Sequence, residues 1–200
     1  MRLFLASRLA PSNRRAIAAR MAPVLAAARG ALRPVPRDSE HLTLVFLGER
    51  DHGAEELLRA LAPLAAGAGF RIRLGSAEVF PRRGRPRLVC APVAEGADEL
   101  QALAARARGC LEPLLPDLAA YREKPPHVTL ARFDRGAGGR DRRAVTDLLA
   151  TAGVAAWTAW DRVDGVELVA SQLSPRGPAY TTVGEIALAP ALATGRRQED

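Results

Sequence analysis

Two stretches of the sequence carry the same pair of reactive side chains: "HLTLVF" at 41–46 and "HVTLARF" at 127–133. Each reads His–apolar–Thr–Leu, and each follows a loop that contains proline. In a β-strand, residues i and i+2 point to one face. His41 therefore shares a face with Thr43, and His127 with Thr129. An imidazole exchanges a proton near neutrality, its ordinary pKa being roughly 6.5. A threonine hydroxyl can donate a hydrogen bond to an oxyanion. Two imidazoles can divide acid and base work between them. Phosphoester hydrolysis needs this set: a base for water, an acid for the leaving oxygen, and donors for the phosphoryl oxygens. One His–x–Thr strand would read as a hydrogen-bonded, half-buried histidine. Two copies in matching settings point to a paired site, with the strands facing across a cleft that holds a phosphate between the imidazoles. The third histidine, His52 in "RDHGAEE", lacks that context and reads as a surface residue near a helix start.

Other chemistries find no motif. No HxH, HxxxH or HExxH spacing occurs, and Glu40, next to His41, should point the other way. No GxSxG, P-loop or dinucleotide-binding fingerprint is present. The expectation is chemistry without a metal or a cofactor.

The elements that must position these residues mix strands and helices throughout. "RLFLAS" reads as an opening strand. The helix after it has Ile17, Met21, Val24 and Leu25 at helical spacing, Ser12 as N-cap and Gly30 as stop. Pro34 and Pro36 make "RPVPRDSE" a loop. A second helix is expected around Leu57, Leu58, Leu61 and Leu64. "FRIRLGSAEVF" reads as one strand or two, "PRRGRPR" as a basic loop, and "RLVCAPV" as a strand. Leu100, Leu103, Ala107, Leu111 and Leu114 make one helical stripe. "YREKPP" reads as a loop, "RRAVTDLLATAG" as a helix, and "VDGVELVASQL" and "YTTVGEIAL" as two strands joined by "SPRGPA". This pattern predicts an α+β domain with largely antiparallel sheets over residues 1–192, and a polar tail at 193–200.

The chain has 200 residues, 48% of them hydrophobic, enough for a sizeable core in one domain or two packed lobes. Its net charge is +7, carried almost wholly by arginine, with Lys124 the one lysine. That favours a polyanionic partner, nucleic acid above all. An Arg- and Ala-rich genome bias would produce the same balance. Cys90 and Cys110 form no CxxC, and a reducing cytosol fits them. No stretch is long and apolar enough to serve as a signal peptide or membrane span, so the expected location is cytoplasmic.

The two H-φ-T-φ motifs resemble those of the 2H phosphoesterase superfamily. The opening "MRLFLA", "VPRDSEHLTLVFLGE", "EVFPRRGRPRLV", "KPPHVTLAR" and "GVELVASQLSPRGPAYTTV" look like the RNA 2′,3′-cyclic phosphodiesterase family, historically called 2′-5′ RNA ligase. The resemblance implies a bilobal α+β fold. Two pseudo-symmetric lobes of mainly antiparallel sheet, with outer helices, would surround a central cleft and carry one motif each. It implies opening of a 2′,3′-cyclic phosphate at an RNA end to a 2′-phosphate, without metal. It makes His41 the proton donor and His127 the proton acceptor, with Thr43 and Thr129 on the phosphate. Arg132 matches an arginine that often follows the second motif. It lies five residues past His127, so a regular strand aims it at the opposite face. It reaches the cleft only if the strand ends or bulges first; otherwise a surface ion pair is its role. The implied partner is RNA or an oligonucleotide with a 2′,3′-cyclic phosphate end, bound by a monomer with no metal and no membrane. Ligation of a 5′-hydroxyl would be a minor reverse activity.

The chain departs from the family where members often carry a tryptophan, near Pro34, and another aromatic, where Cys90 falls. Phe46, Phe80 or Tyr180 could stack on a base instead, although core packing is the default for each, and for Trp157 and Trp160. "PRRGRPR" either flanks the cleft and holds RNA backbone or is a solvated hairpin. Two other readings stay open: a phosphodiesterase acting on small cyclic phosphates, such as ADP-ribose 1″,2″-cyclic phosphate, and an RNA-binding module with weak turnover.

Overall fold

A computed structural model describes residues 1–120, 124–151, 157, 159–174 and 177–190. In chain order its elements are β1 (Arg2–Arg8), α1 (Pro11–Ala27), β2 (Leu32–Pro34), β3 (His41–Glu49), α2 (Ala54–Leu61), β4 (Phe70–Leu74) and β5 (Glu78–Phe80). Then come β6 (Leu88–Glu95), α3 (Ala97–Leu111), β7 (His127–Phe133), α4 (Gly139–Thr151), β8 (Trp160–Val163), β9 (Gly165–Ser174) and β10 (Gly177–Ala187). The expected polar tail at 193–200 lies outside the described residues. So do 121–123 of the "YREKPP" loop, 152–153 at the end of "RRAVTDLLATAG" and 175–176 of the "SPRGPA" turn.

The strands form one antiparallel path, β10–β9–β1–β3–β7–β6–β4–β8, with β2 added to β7 and β5 to β6. Two lobes meet at the β3–β7 junction. Helices α2 and α3 pack on the β10–β9–β1–β3 half, while α1 and α4 meet beside β2 and β5 on the other. Each lobe therefore takes elements from both ends of the chain. This is the expected bilobal α+β architecture with outer helices.

Alternation along β1 shows how a strand divides its side chains. Leu3 and Leu5 enter the main core, whereas Phe4 and Ala6 join Val169 and Tyr180 in a small cluster on the other face. Leu100, Leu103, Ala107 and Leu111 of α3 are buried as their stripe predicts, with Leu114 half-buried beyond the helix end. Full burial of a leucine contributes roughly 1.5–3 kcal/mol.

Several local expectations change. Ser12 is not the N-cap: Pro11 opens α1, with Ala10 before it in an extended conformation. Proline suits that first helical position because its missing N–H would have no intrahelical partner there. The proline loop contains a strand, β2, which pairs with β7 even though Pro34 ends it. Pro34 is tolerated because it sits at the end of a three-residue segment. Trp157 is core, but Trp160 is 39% exposed, with the guanidiniums of Arg71 and Arg73 over its ring at 4.7 and 5.0 Å. No helix among the described residues is long and apolar enough to cross a membrane.

Candidate active site

The junction between the lobes is one residue pair. β3 and β7 run antiparallel with Leu42 opposite Val128, and both are buried, at 1% and 0% exposure. That register sets His41 abreast of Thr129 and Thr43 abreast of His127. Because Leu42 and Val128 enter the core, their four neighbours turn to the opposite face. All four line one cavity of about 600 Å³. The motif strands are thus neighbours in one sheet, rather than walls facing each other across a cleft.

The backbone before each strand orients its histidine. Nδ1 of His41 lies 2.6 Å from the carbonyl oxygen of Ser39, and Nδ1 of His127 lies 2.8 Å from that of Pro125. In both cases the carbonyl is two residues back. A carbonyl can only accept, so Nδ1 carries the proton and Nε2 is the nitrogen left for exchange. At His41, Nε2 faces the Thr43 hydroxyl at 3.0 Å. Aromatic rings fix the two imidazoles further. Phe4 and Tyr180 lie 5.0 and 5.3 Å from the His41 ring, and Phe80 stacks on His127 at 5.7 Å. Phe80 comes from the short strand β5, where it lies opposite Leu88 of β6, while Glu78 lies opposite Cys90. The Cys90 thiol is buried and pushed up to about 12 by that burial, with help from Glu78, so it stays protonated.

Electrostatics separate His41 from an ordinary imidazole. Burial, above all, holds its pKa below 6.5, and the cations Arg8 and Arg132 act in the same direction. The bond to the Ser39 carbonyl and the charge of Glu167 oppose them. Glu40 points away from the cavity, as strand parity requires. It is 3% exposed, and burial lifts its pKa to about 7 against the pull of Arg14 and Arg37.

Arg132 reaches the site, and the reason is a bulge. On β7, Thr129 pairs with Cys90 and Ala131 with Val89, so Leu130 is an extra residue with no partner on β6. A bulge of this kind reverses the alternation beyond it. Arg132 therefore turns to the face of His127 and Thr129 and lines the cavity. β3 repeats the device. Thr43 pairs with Ala6 and Val45 with Leu5, leaving Leu44 extra. Phe46 is thereby turned into the cavity, where it is 38% exposed, so core packing is not its role. A second irregularity on β3 follows at Leu47, where Gly48 takes a φ of 80°.

The cavity lining combines aromatic rings and cations. Phe4, Phe46 and Tyr180 line it from the first lobe. Arg2, Arg33, Lys124, Arg132 and Arg135 also line it, and among the described residues no Asp or Glu does. Arg33 and Arg135 carry no signal in the sequence, since prolines disguise β2 as a loop and Arg135 lies past a strand end. Phe4 is legible from the alternation of β1. The "PRRGRPR" loop does not line the cavity: Arg82 pairs with Glu78, and Arg85 donates to the carbonyl of Ala137. Among the described residues, no group of three or more His, Cys, Asp or Glu side chains is placed to hold a metal ion.

The family profile described as the 2′-5′ RNA ligase superfamily matches residues 12–172, which include both motifs. The chain belongs to that superfamily, the 2H phosphoesterases. Its relatives include proteins named RNA 2′,3′-cyclic phosphodiesterase. One, from Aeropyrum pernix, is 35% identical over 78% of this chain and 85% of that protein. Another, from Thermus thermophilus, is 39% identical over 78% and 75%. Among solved structures, that of a Thermus thermophilus protein superposes with a TM-score of 0.74 at 31% identity, over 95% of this chain and 99% of the other. E. coli LigT complexed with 3′-AMP superposes with a TM-score of 0.67 at 26% identity, over 94% and 97%.

Proposed function

We propose that this chain hydrolyses 2′,3′-cyclic phosphate ends of RNA to 2′-phosphates by paired histidine catalysis, without a metal. The observation that carries this reading is the matched pair of imidazoles on one sheet face. Each has Nδ1 committed to the carbonyl two residues back, which leaves Nε2 for proton exchange. The names of the relatives agree with the substrate.

His127 Nε2 takes a proton from water, whose oxygen attacks phosphorus. The bond from phosphorus to the 3′ oxygen breaks, and His41 Nε2–H gives that oxygen its proton. The products are a 3′-hydroxyl and a 2′-phosphomonoester. Thr43 and Thr129 donate to the non-bridging oxygens, and Arg132 offsets their charge. In the empty site burial and two cations disfavour protonated His41. An arriving phosphate anion counters those cations and restores its proton. An imidazolium whose pKa is low by nature then releases that proton readily to the leaving oxygen. With a 5′-hydroxyl as partner, the same groups run the reverse step as a minor ligation. The proposed reaction uses no cofactor and no second subunit.

Substituting each histidine tests the assignment. His41→Ala and His127→Ala should each slow cyclic phosphate opening by about 10²–10⁴-fold. A normal rate in either variant overturns that residue's role.

A further inference from the structure

We infer that Arg33, Arg132 and Arg135 form a second phosphate subsite, which takes the phosphodiester on the 5′ side of the terminal nucleotide. This rests on the reading of the cavity as an RNA-end site. β2 and β7 place Arg33 directly opposite Arg132. Like charges directly opposite on neighbouring strands repel. The chain brings these two together twice over: through the pairing of β2, and through the bulge at Leu130 that turns Arg132 into the cavity. Arg135 lines the same cavity just past the end of β7.

The cluster is held in place and only partly neutralised, by one carboxylate, Asp134, which forms a salt bridge with Arg33. Arg33 donates through Nε to Asp134, and the other oxygen of that carboxylate accepts the Gly136 N–H at 2.8 Å. Asp134 thus anchors Arg33 from outside the cavity lining. Among the described residues, no salt bridge joins Arg132 or Arg135 to a carboxylate. A surplus of positive charge therefore faces the cavity. Such an arrangement suits an anion that brings two or more acceptor oxygens.

The position indicates which anion. Along β7 the cavity-lining residues run His127, Thr129, Arg132 and then Arg135 past the strand end, so Arg132 is the cluster member on that strand nearest the motif residues. Arg132 lies five positions past His127 along β7, a rise of roughly 15 Å, and Arg135 lies beyond the strand end. One phosphate cannot meet both imidazoles and all three arginines. A chain that continues in the 5′ direction supplies a second phosphate, and a mononucleoside cyclic phosphate does not.

Three substrates test this. They are adenosine 2′,3′-cyclic phosphate, the same nucleotide with a 5′-phosphate, and an adenylyl dinucleotide ending in the cyclic phosphate. Arg33→Ala should lower kcat/KM for the second and third roughly tenfold more than for the first. Arg33→Lys should recover part of that loss. The log–log salt slope should fall by about one for the two phosphate-bearing substrates. Equal losses on all three substrates would overturn the subsite. So would a loss confined to the dinucleotide, which would assign Arg33 to the upstream nucleoside. Calorimetric binding of adenosine 2′-phosphate, with and without a 5′-phosphate, reads the subsite without turnover. If the wild-type protein opens no cyclic phosphate, the proposed reaction fails, and the calorimetry still decides the subsite: an Arg33-dependent gain from the 5′-phosphate supports it, and no gain overturns it.

Discussion

Phe46 and Arg132 hold the same place in two copies of one strand design. Each lies five residues past its motif histidine, each follows a bulged leucine, and each is turned into the cavity. From the histidine onward, β3 and β7 pass through the same order of half-buried, buried and exposed positions over seven residues. The backbone device is shared, but the side chain it presents differs. The first lobe offers an aromatic ring and the second a guanidinium. A nucleotide end has both a base and a phosphate, and in the proposed reaction the first copy takes the base and the second the phosphate.

The ring of Phe46 should therefore contribute to substrate affinity. Phe46→Ala should weaken binding of an RNA end by about 1–3 kcal/mol, the usual worth of one base stacked on an aromatic ring. The side chain is 38% exposed, so the melting temperature should move little. Affinity measured beside thermal unfolding separates the two effects. Unchanged affinity would remove Phe46 from the base site.

Arg132 should act through His41 as well as on the phosphate. The His41 imidazole, followed by NMR, should titrate below 6.5 in the free protein, since burial and two cations lower it. Arg132→Gln removes one of those cations and should move the midpoint upward. Adding inorganic phosphate to the wild-type protein should move it in the same direction. A downward shift in either experiment would contradict the electrostatic account.

The roles of the two histidines should separate by leaving group. A departing oxygen of low pKa needs no proton from an acid. With an aryl phosphodiester in place of an RNA end, the penalty of His41→Ala should shrink from about 10²–10⁴-fold toward a small factor. The penalty of His127→Ala should persist, because water still needs a base. The opposite pattern would exchange the two roles.

Glu40 should make stability depend on pH. Its native pKa, about 7, lies above the ordinary carboxyl value of 4.5. The native state therefore binds the proton more tightly than the unfolded chain does. The associated stability is complete below pH 4.5 and is lost as pH rises through about 7. Glu40→Gln should remove this dependence. Denaturant unfolding at about pH 5 and about pH 8 should show the variant gaining up to roughly 3 kcal/mol on the wild type at the higher pH. An equal difference at both pH values would show that Glu40 does not titrate in this range.

Much of the site is legible in the sequence because strand parity is local. His41 with Thr43, and His127 with Thr129, follow from alternation alone, and the repeat joins them. What alternation cannot show is an extra residue, since a bulge depends on the partner strand. Alternation therefore leaves Arg132 conditional and assigns Phe46 to the core, and the extra residues Leu130 and Leu44 decide both. The proline rule hides β2 because Pro34 ends a strand whose pairing with β7 is set by tertiary structure. Residue type alone assigns Trp160 to the core, and stacking with Arg71 and Arg73 holds it at the surface instead. The bilobal α+β architecture is legible through resemblance. That the two motif strands meet at a single pair, Leu42 and Val128, is not, because residues so far apart in sequence carry no local sign of pairing.

The central claim is that the two imidazoles open a cyclic phosphate by themselves. The most direct measurement incubates the protein with EDTA and an RNA ending in a 2′,3′-cyclic phosphate, then identifies the product. The account predicts a 2′-phosphate end at an undiminished rate. No opening, opening only after metal is added, or a 3′-phosphate product would contradict it.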